Sequence, residues 1–317
     1  MFPPRTFLKI TDQWRVGLAT IRIAQLVPTT RILRNTTSFS HTHSLLSLPF
    51  SSHHDACILY TTAGTDTSQP VAQRHAIHYH STYDNKTLRL FRGHTDVVQS
   101  LSLSPVDDSF LSSSRDGKVR LWNLQQAGCL AECALPPQTT IPGSQLAAFD
   151  ATGLVFGIAA AMANGAGYHV HLYDARNHRT GAFAEMKVLH SSVESQLTFS
   201  SSSAVPMQWT SFAFNRAGDQ LLVGTDGGLA VMLDGFQGTV QRVVGTPQQT
   251  PAVACYTNSD KSVLIGRSTG TIEAWDPSTG QATNVYKGHL SGVSCIASNP
   301  RYAQFASADQ DLCLWQV

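Results

Sequence analysis

The sequence lacks a surplus of charge of either sign: 22 lysines and arginines face 21 aspartates and glutamates, a formal net charge of +1. A nucleic-acid backbone is gripped by clustered positive charge that releases counterions, so no direct DNA or RNA binding is expected. No apolar run reaches about 18 residues, the length that spans a bilayer as a helix. Asp150 interrupts the best candidate, and no membrane partner is expected. The six cysteines, Cys57, Cys129, Cys133, Cys255, Cys295 and Cys313, form no C-x-x-C pair, which removes the usual redox and structural-zinc spacings. Cys255, Cys295 and Cys313 fall in alternating apolar stretches and read as small buried hydrophobes, in keeping with a reducing compartment. There is no G-x-S-x-G nucleophile elbow and no set of paired carboxylates or metal-ligand spacing. The expectation is therefore no enzyme, no cofactor and no metal.

What the chain does have is clearest at residues 88–123, LRLFRGHTDVVQSLSLSPVDDSFLSSSRDGKVRLWN. Val98, Leu101 and Leu103, then Phe110 and Leu111, then Val119, Leu121 and Trp122 are apolar at mostly two-residue intervals, the period of a half-buried strand. Pro105 with Asp107-Asp108 breaks the first strand pair, and Asp116-Gly117 is a strong hairpin turn. A Gly-His opening (Gly93-His94) and a Trp-Asp-like close (Trp122-Asn123) bracket four short strands, the signature of one propeller blade of the WD-repeat type.

The pattern repeats. The closing position recurs as His80, Trp122, Tyr173, Leu233, Trp275 and Trp315, at gaps of 42, 51, 60, 42 and 40 residues, against about 40–45 for such blades. The two long gaps hold PPQTTIPG (136–143), AAAMANGAG (159–167) and HSSVESQLTFSSSSAVP (190–206), which read as surface insertions that loops tolerate. Gly288-His289 opens the last repeat as Gly93-His94 opens the first clear one. Punctuation at this density with no long helical pattern predicts an all-β WD-repeat β-propeller over residues 41–317, with six recognisable blades. Residues 1–40 stand apart. Arg5, Lys9, Arg15, Arg22, Arg31 and Arg34 face one acid, Asp12. That composition fits a mitochondrial transit peptide, an outer strand plus a mobile arm, or a wrongly assembled coding region; the last two accord better with the rest of the chain. The last repeat stops at Val317 after its third strand, and residues 14–23 are a plausible donor of its outer strand. Histidines crowd residues 41–80 (His41, His43, His53, His54, His75, His78, His80), where polar packing is expected rather than zinc.

The resemblance to WD repeats implies that His94, Ser112, Asp116 and Trp122 form a structural tetrad, Asp116 holding His94 and Ser112 linking His94 to the Trp122 indole. Elsewhere the tetrad is degenerate. Tyr173, Trp275, His289 and Trp315 keep blade-closing positions. In VLIGRSTGTIEAW the turn Asp is Thr269 and the Ser is Ile265, so apolar packing must serve; in the last repeat either Asp309 or Asp311 could be the turn acid. A Ser-His-Asp nucleophile set is the rival for the first tetrad and ranks far below it.

YDNKTLRLFRGH (83–94) with SLSPVDDSFLSSSRDGKVRLWNL (102–124) and SFAFNRAGDQLLVGTDGGLAVMLDGFQGTV (211–240) resembles one family in particular. It is the WD-repeat subunit shared by the SET-domain histone H3 lysine-4 methyltransferase complex (COMPASS) and, in fungi, the mRNA cleavage and polyadenylation factor. FDATGLVF (149–156), LYDARN (172–177) and GAFA (181–184) match in order. The family template has seven blades, so the resemblance implies a first blade reduced or missing here. It also implies a nuclear, non-catalytic adaptor that docks on a SET-domain methyltransferase. Its further partners would be the phosphorylated C-terminal tail of RNA polymerase II, cleavage/polyadenylation subunits and phosphatase subunits. A generic WD-repeat scaffold, such as a ubiquitin-ligase substrate receptor, is the alternative. Arg92, Arg115, Lys118, Arg267 and Lys287 are expected near the face that carries His94 and Asp116. They either rim a phosphopeptide site or are ordinary solvated charges.

Overall fold

The computed structural model describes residues 57–61, 74–81, 86–133, 145–197, 208–247, 253–293, 295–299, 302–309 and 312–316. Alternating apolarity becomes strands, and the strands pair with their sequence neighbours into six antiparallel sheets. The first holds β1 (Cys57–Thr61), β2 (Ile77–Ser81) and β3 (Lys86–Phe91). The second holds β4 (Val98–Leu103), β5 (Ser109–Ser114), β6 (Val119–Asn123) and β7 (Cys129–Cys133). The third holds β8 (Gln145–Phe149), β9 (Val155–Ala161), β10 (Gly167–Asp174) and β11 (Ala184–Leu189). The fourth holds β12 (Trp209–Phe214), β13 (Gln220–Thr225), β14 (Ala230–Asp234) and β15 (Val240–Val244). The fifth holds β16 (Val253–Tyr256), β17 (Val263–Gly266), β18 (Thr271–Trp275) and β19 (Ala282–Lys287). The sixth holds β20 (Cys295–Ser298), β21 (Gln304–Ala308) and β22 (Leu312–Gln316).

From the second sheet onward, the first strand of each sheet meets the first strand of the next, β4 with β8, β8 with β12, β12 with β16 and β16 with β20. Inner strands converging in this order make the sheets six blades of an all-β propeller. The core lies between blades. Phe91, Ile77 and Leu59 of the first sheet pack with Trp122, Phe110 and Val98 of the second, and Leu111, Leu121 and Cys133 pack with Phe156, Ile158 and Tyr173 of the third.

The repeated turns have local causes. A buried polar residue follows the first strand in five sheets: Ser104, Asp150, Asn215, Thr257 and Asn299. Each backbone N–H donates to the carbonyl five residues on, and each side-chain oxygen accepts a backbone N–H from the turn it opens. The residue after the closing position (Asn123, Asp174, Asp234, Asp276) accepts the N–H two residues on. This Asx turn is the physical reason for an acid or amide there. In four sheets the closing residue also sits at a β-bulge against the outer strand, which sharpens the local twist.

Two expectations change. AAAMANGAG (159–167) is no insertion: its ends belong to β9 and β10, the longest strand pair, joined by a tight turn. HSSVESQLTFSSSSAVP begins with a short helix, α1 (His190–Glu194), whose Val193 is buried in the same apolar cluster as Val188 and Trp209. Residues 198–207 and 136–143 lie outside the described residues, as do residues 1–40, the strand expected at 14–23, and His41, His43, His53 and His54. His78 and His80 are packed against the Tyr60 ring, at centroid distances of 4.7 and 6.1 Å. All six cysteines are free thiols, and no helix of the described residues is long and apolar enough to cross a membrane.

Candidate partner-binding face

The loop from β3 to β4 and the β5–β6 hairpin meet at one end of the second blade. Gly117 makes that hairpin possible, with φ 81°, a left-handed backbone that glycine adopts without steric cost. There His94 Nδ1 lies 2.8 Å from Asp116 Oδ2, and His94 Nε2 lies 2.7 Å from Ser112 Oγ. The Trp122 indole N–H donates to the same Ser112 oxygen at 2.8 Å. One proton arrangement satisfies all four: Trp122 N–H to Ser112, Ser112 O–H to His94 Nε2, and His94 Nδ1–H to Asp116. Asp116 also accepts the backbone N–H of Thr95 at 3.1 Å and of Lys118 at 3.0 Å. Burial pushes the Asp116 carboxyl up, but the hydrogen bond and electrostatic pull of His94 and the two backbone donors outweigh it and hold it at about 2. The connectivity is that of a hydrolytic triad, yet Ser112 has no exposed surface, and its lone pair is engaged by Trp122.

Gly93 and Gly288 have a packing reason. A Cβ on Gly93 would stand 3.2 Å from Trp122 Cη2, and one on Gly288 would stand 2.7 Å from Trp315 Cη2. The Gly-His opening lets the chain cross over the closing indole.

The sixth blade builds a second tetrad. His289 Nδ1 is 2.7 Å from Asp309 Oδ1, His289 Nε2 is 2.6 Å from Ser307 Oγ, and Trp315 donates to Ser307 at 2.7 Å. Of the two acids the sequence allowed, the hydrogen bond falls to Asp309; Asp311 lies outside the described residues. Ser307 escaped the sequence reading because this hairpin is two residues shorter, which puts the serine two positions before the acid rather than four.

The fifth blade corrects a further expectation. Apolar packing does not replace its tetrad; an ion pair does. Arg267 Nη2 donates to Glu273 Oε2 at 2.6 Å, and Trp275 Nε1 donates to the same oxygen at 3.0 Å. Arg267 also bonds the Gly228 carbonyl, and the Thr246 carbonyl and hydroxyl at 3.1 and 2.9 Å. Arg267 is therefore no rim residue. At 2% exposure its charge is spent inside the protein. Tyr173 closes the third blade by stacking on Phe156 at 5.0 Å, an apolar substitute for the polar network.

Of the remaining rim candidates, Arg92, Arg115, Lys118 and Lys287 are exposed. Lys118 Nζ contacts Glu132 Oε1 at 2.6 Å, and Arg120, which the sequence reading missed, contacts Glu132 Oε2 at 3.0 Å. The Lys118 ammonium holds Glu132 below the usual carboxylate range. Arg92 directly precedes Gly93-His94, Lys287 directly precedes Gly288-His289, and Arg115 directly precedes Asp116, so all three flank tetrad loops.

The model for "WD domain, G-beta repeat" matches residues 85–123 and 280–316, the segments that form the two complete tetrads. The chain is 34% identical to WD repeat-containing protein 82 of Drosophila melanogaster, over 75% of this chain and 69% of that one. It is 32% identical to COMPASS component SWD2 of Saccharomyces cerevisiae, over 74% and 69%. The Set1 complex component swd2 of Schizosaccharomyces pombe is 26% identical over 59% and 44%. The chain thus spans about two thirds of the length of the first two relatives. A propeller with these repeats and that extent of identity belongs to the WD-repeat family that contains WD repeat-containing protein 82 and COMPASS component SWD2.

Proposed function

We propose that this protein is a non-catalytic adaptor subunit of a Set1/COMPASS-type complex, the methyl transfer to histone H3 lysine 4 being done by its SET-domain partner in the nucleus. The observation that carries this reading is the identity to COMPASS component SWD2 over most of the described propeller. The buried tetrads support it further, since their Ser-His-Asp groups are consumed in holding blades together. The adaptor links the methyltransferase to RNA polymerase II through its phosphorylated tail and, in fungal members, to cleavage/polyadenylation and phosphatase subunits. Arg92, Arg115 and Lys287 flank the tetrad loops and are the residues suited to phosphoserine, which carries about 1.5–2 negative charges. Arg267 is dropped from that set, and Lys118 is half-neutralised by Glu132. The seven-bladed family template belongs to the same reading: the first described sheet has its closing residue, His80, on its second strand rather than its third, so its described strands correspond to the outer three of a blade.

Two measurements test this. Mass spectrometry of proteins retained on a tagged copy is expected to recover a SET-domain methyltransferase; its absence from a soluble, folded bait would count against the assignment. Fluorescence anisotropy with a serine-phosphorylated polymerase-tail peptide is expected to show at least tenfold weaker binding by R92E/R115E than by the parent. Equal affinities would remove the phosphopeptide site and leave the adaptor role standing.

A further inference from the structure

His169 and His171 stand two apart on β10, so their imidazoles project from the same face of the third sheet. Their rings are nearly parallel, 5.9 Å apart and inclined by 12°. On the neighbouring β11, Glu185 is the register partner of His171. Strand pairing thus gathers two imidazoles and a carboxylate that the sequence separates. His169 Nδ1 lies 2.8 Å from Glu185 Oε1, and one ligand atom from each of the three residues lies within 4.8 Å of the others. His171 is 2% exposed, and its Nε2 has no hydrogen-bond partner among the described residues. Buried polar atoms in folded proteins are nearly always paired, so an unpaired ring nitrogen needs a reason.

We propose that His169, His171 and Glu185 form a three-ligand site for a divalent transition-metal ion of the zinc class. Two imidazoles and one carboxylate are a donor set suited to Zn²⁺, with solvent completing a tetrahedron; calcium and magnesium prefer oxygen alone. Bonds of about 2.0–2.1 Å place tetrahedral ligand atoms about 3.3 Å apart. Binding therefore requires the His169–Glu185 contact to open slightly and His171 to be drawn in. The Glu185 side chain is 46% exposed, so it can re-aim and the site can be reached from solvent. A bound ion would clip the outer strand β11, and α1 that follows it, to β10.

The test uses the full chain freed of metal by a chelator and titrated with ZnCl₂ in a calorimeter. Other histidines can bind zinc, so the readout is a difference: H169Q/E185Q is expected to bind one equivalent fewer than the parent, while H190Q binds as the parent does. With Co²⁺ instead, the parent is expected to show tetrahedral d–d absorption that H169Q/E185Q loses. If the double variant melts abnormally by circular dichroism, E185Q alone, altered at an exposed position, is expected to weaken that equivalent at least tenfold. Equal stoichiometry and affinity in parent and variants would overturn the proposal. So would a zinc-soaked crystal with no anomalous peak among the three side chains; the group would then be a hydrogen-bonded His169–Glu185 pair beside a buried histidine.

Discussion

Replacing Ser112 with alanine asks how much of the second blade's stability rests on one oxygen. Ser112 Oγ is the shared partner of the Trp122 indole N–H and of His94 Nε2, and all three side chains are buried. Alanine leaves two polar groups inside the protein with nothing to bond, and each such orphan costs about 1–3 kcal/mol. The sum, about 2–6 kcal/mol, corresponds to a fall of about 4–12 °C in melting midpoint at about 2 °C per kcal/mol for a domain of this size. The control is Ser113→Ala. Ser113 is equally buried, but its partner, Ser100 Oγ at 2.7 Å, is a half-buried hydroxyl that can turn to another acceptor, so a shift of about 2 °C or less is expected. Differential scanning fluorimetry at one fixed scan rate compares the two without assuming reversibility. If S112A melts within about 1 °C of S113A, the tetrad stabilises the blade no more than any buried serine, and the reasoning fails.

Acid should act through Asp116. Its carboxyl titrates at about 2 in the folded protein, against about 3.9 for a free aspartate. The stabilisation is therefore fully present above about pH 5 and is lost as pH falls through about 2. The gap in urea midpoint between the parent and D116N is expected to narrow over that window; a constant gap down to pH 2 would contradict it. In the fifth blade, Glu273→Gln keeps an acceptor for Trp275 but leaves Arg267 buried beside a neutral group, an expected loss of about 3 kcal/mol. The variant R267M/E273Q should recover much of that loss, and chemical denaturation that finds the two variants equally unstable would refute the account. Gly288→Ala should lower the melting midpoint by several degrees, because its Cβ meets the Trp315 ring. Gly128→Ala, with nothing within 4 Å, should not move it, and equal effects would show that the Gly-His opening is not set by the indole beneath it.

The repeats were legible because each blade writes its own strands and turns. The period-two apolar runs, the Asx positions at Asn123, Asp174, Asp234 and Asp276, and the Asp116-Gly117 hairpin all act over a few residues, within reach of a local reading. His94, Ser112, Asp116 and Trp122 were legible for the same reason, being confined to one repeat at a familiar spacing. Ser307 was missed because a shortened hairpin changed the count while leaving the geometry intact. AAAMANGAG misled because small residues resemble a loop, whereas at β9 and β10 they let the strands run on.

The order of strands alone thus determined a chain of meandering blades and the residues that close them, since hairpin pairing follows sequence adjacency. Only tertiary structure decided which charges face water. Arg267 looks like any surface arginine until Gly228, Thr246 and Glu273, drawn from neighbouring blades and strands, surround it. His169, His171 and Glu185 look unrelated until β11 folds back on β10 and sets the carboxylate beside the two rings. Burial and cross-strand register are properties of the packed molecule, and a side chain's neighbours in the chain carry no record of them.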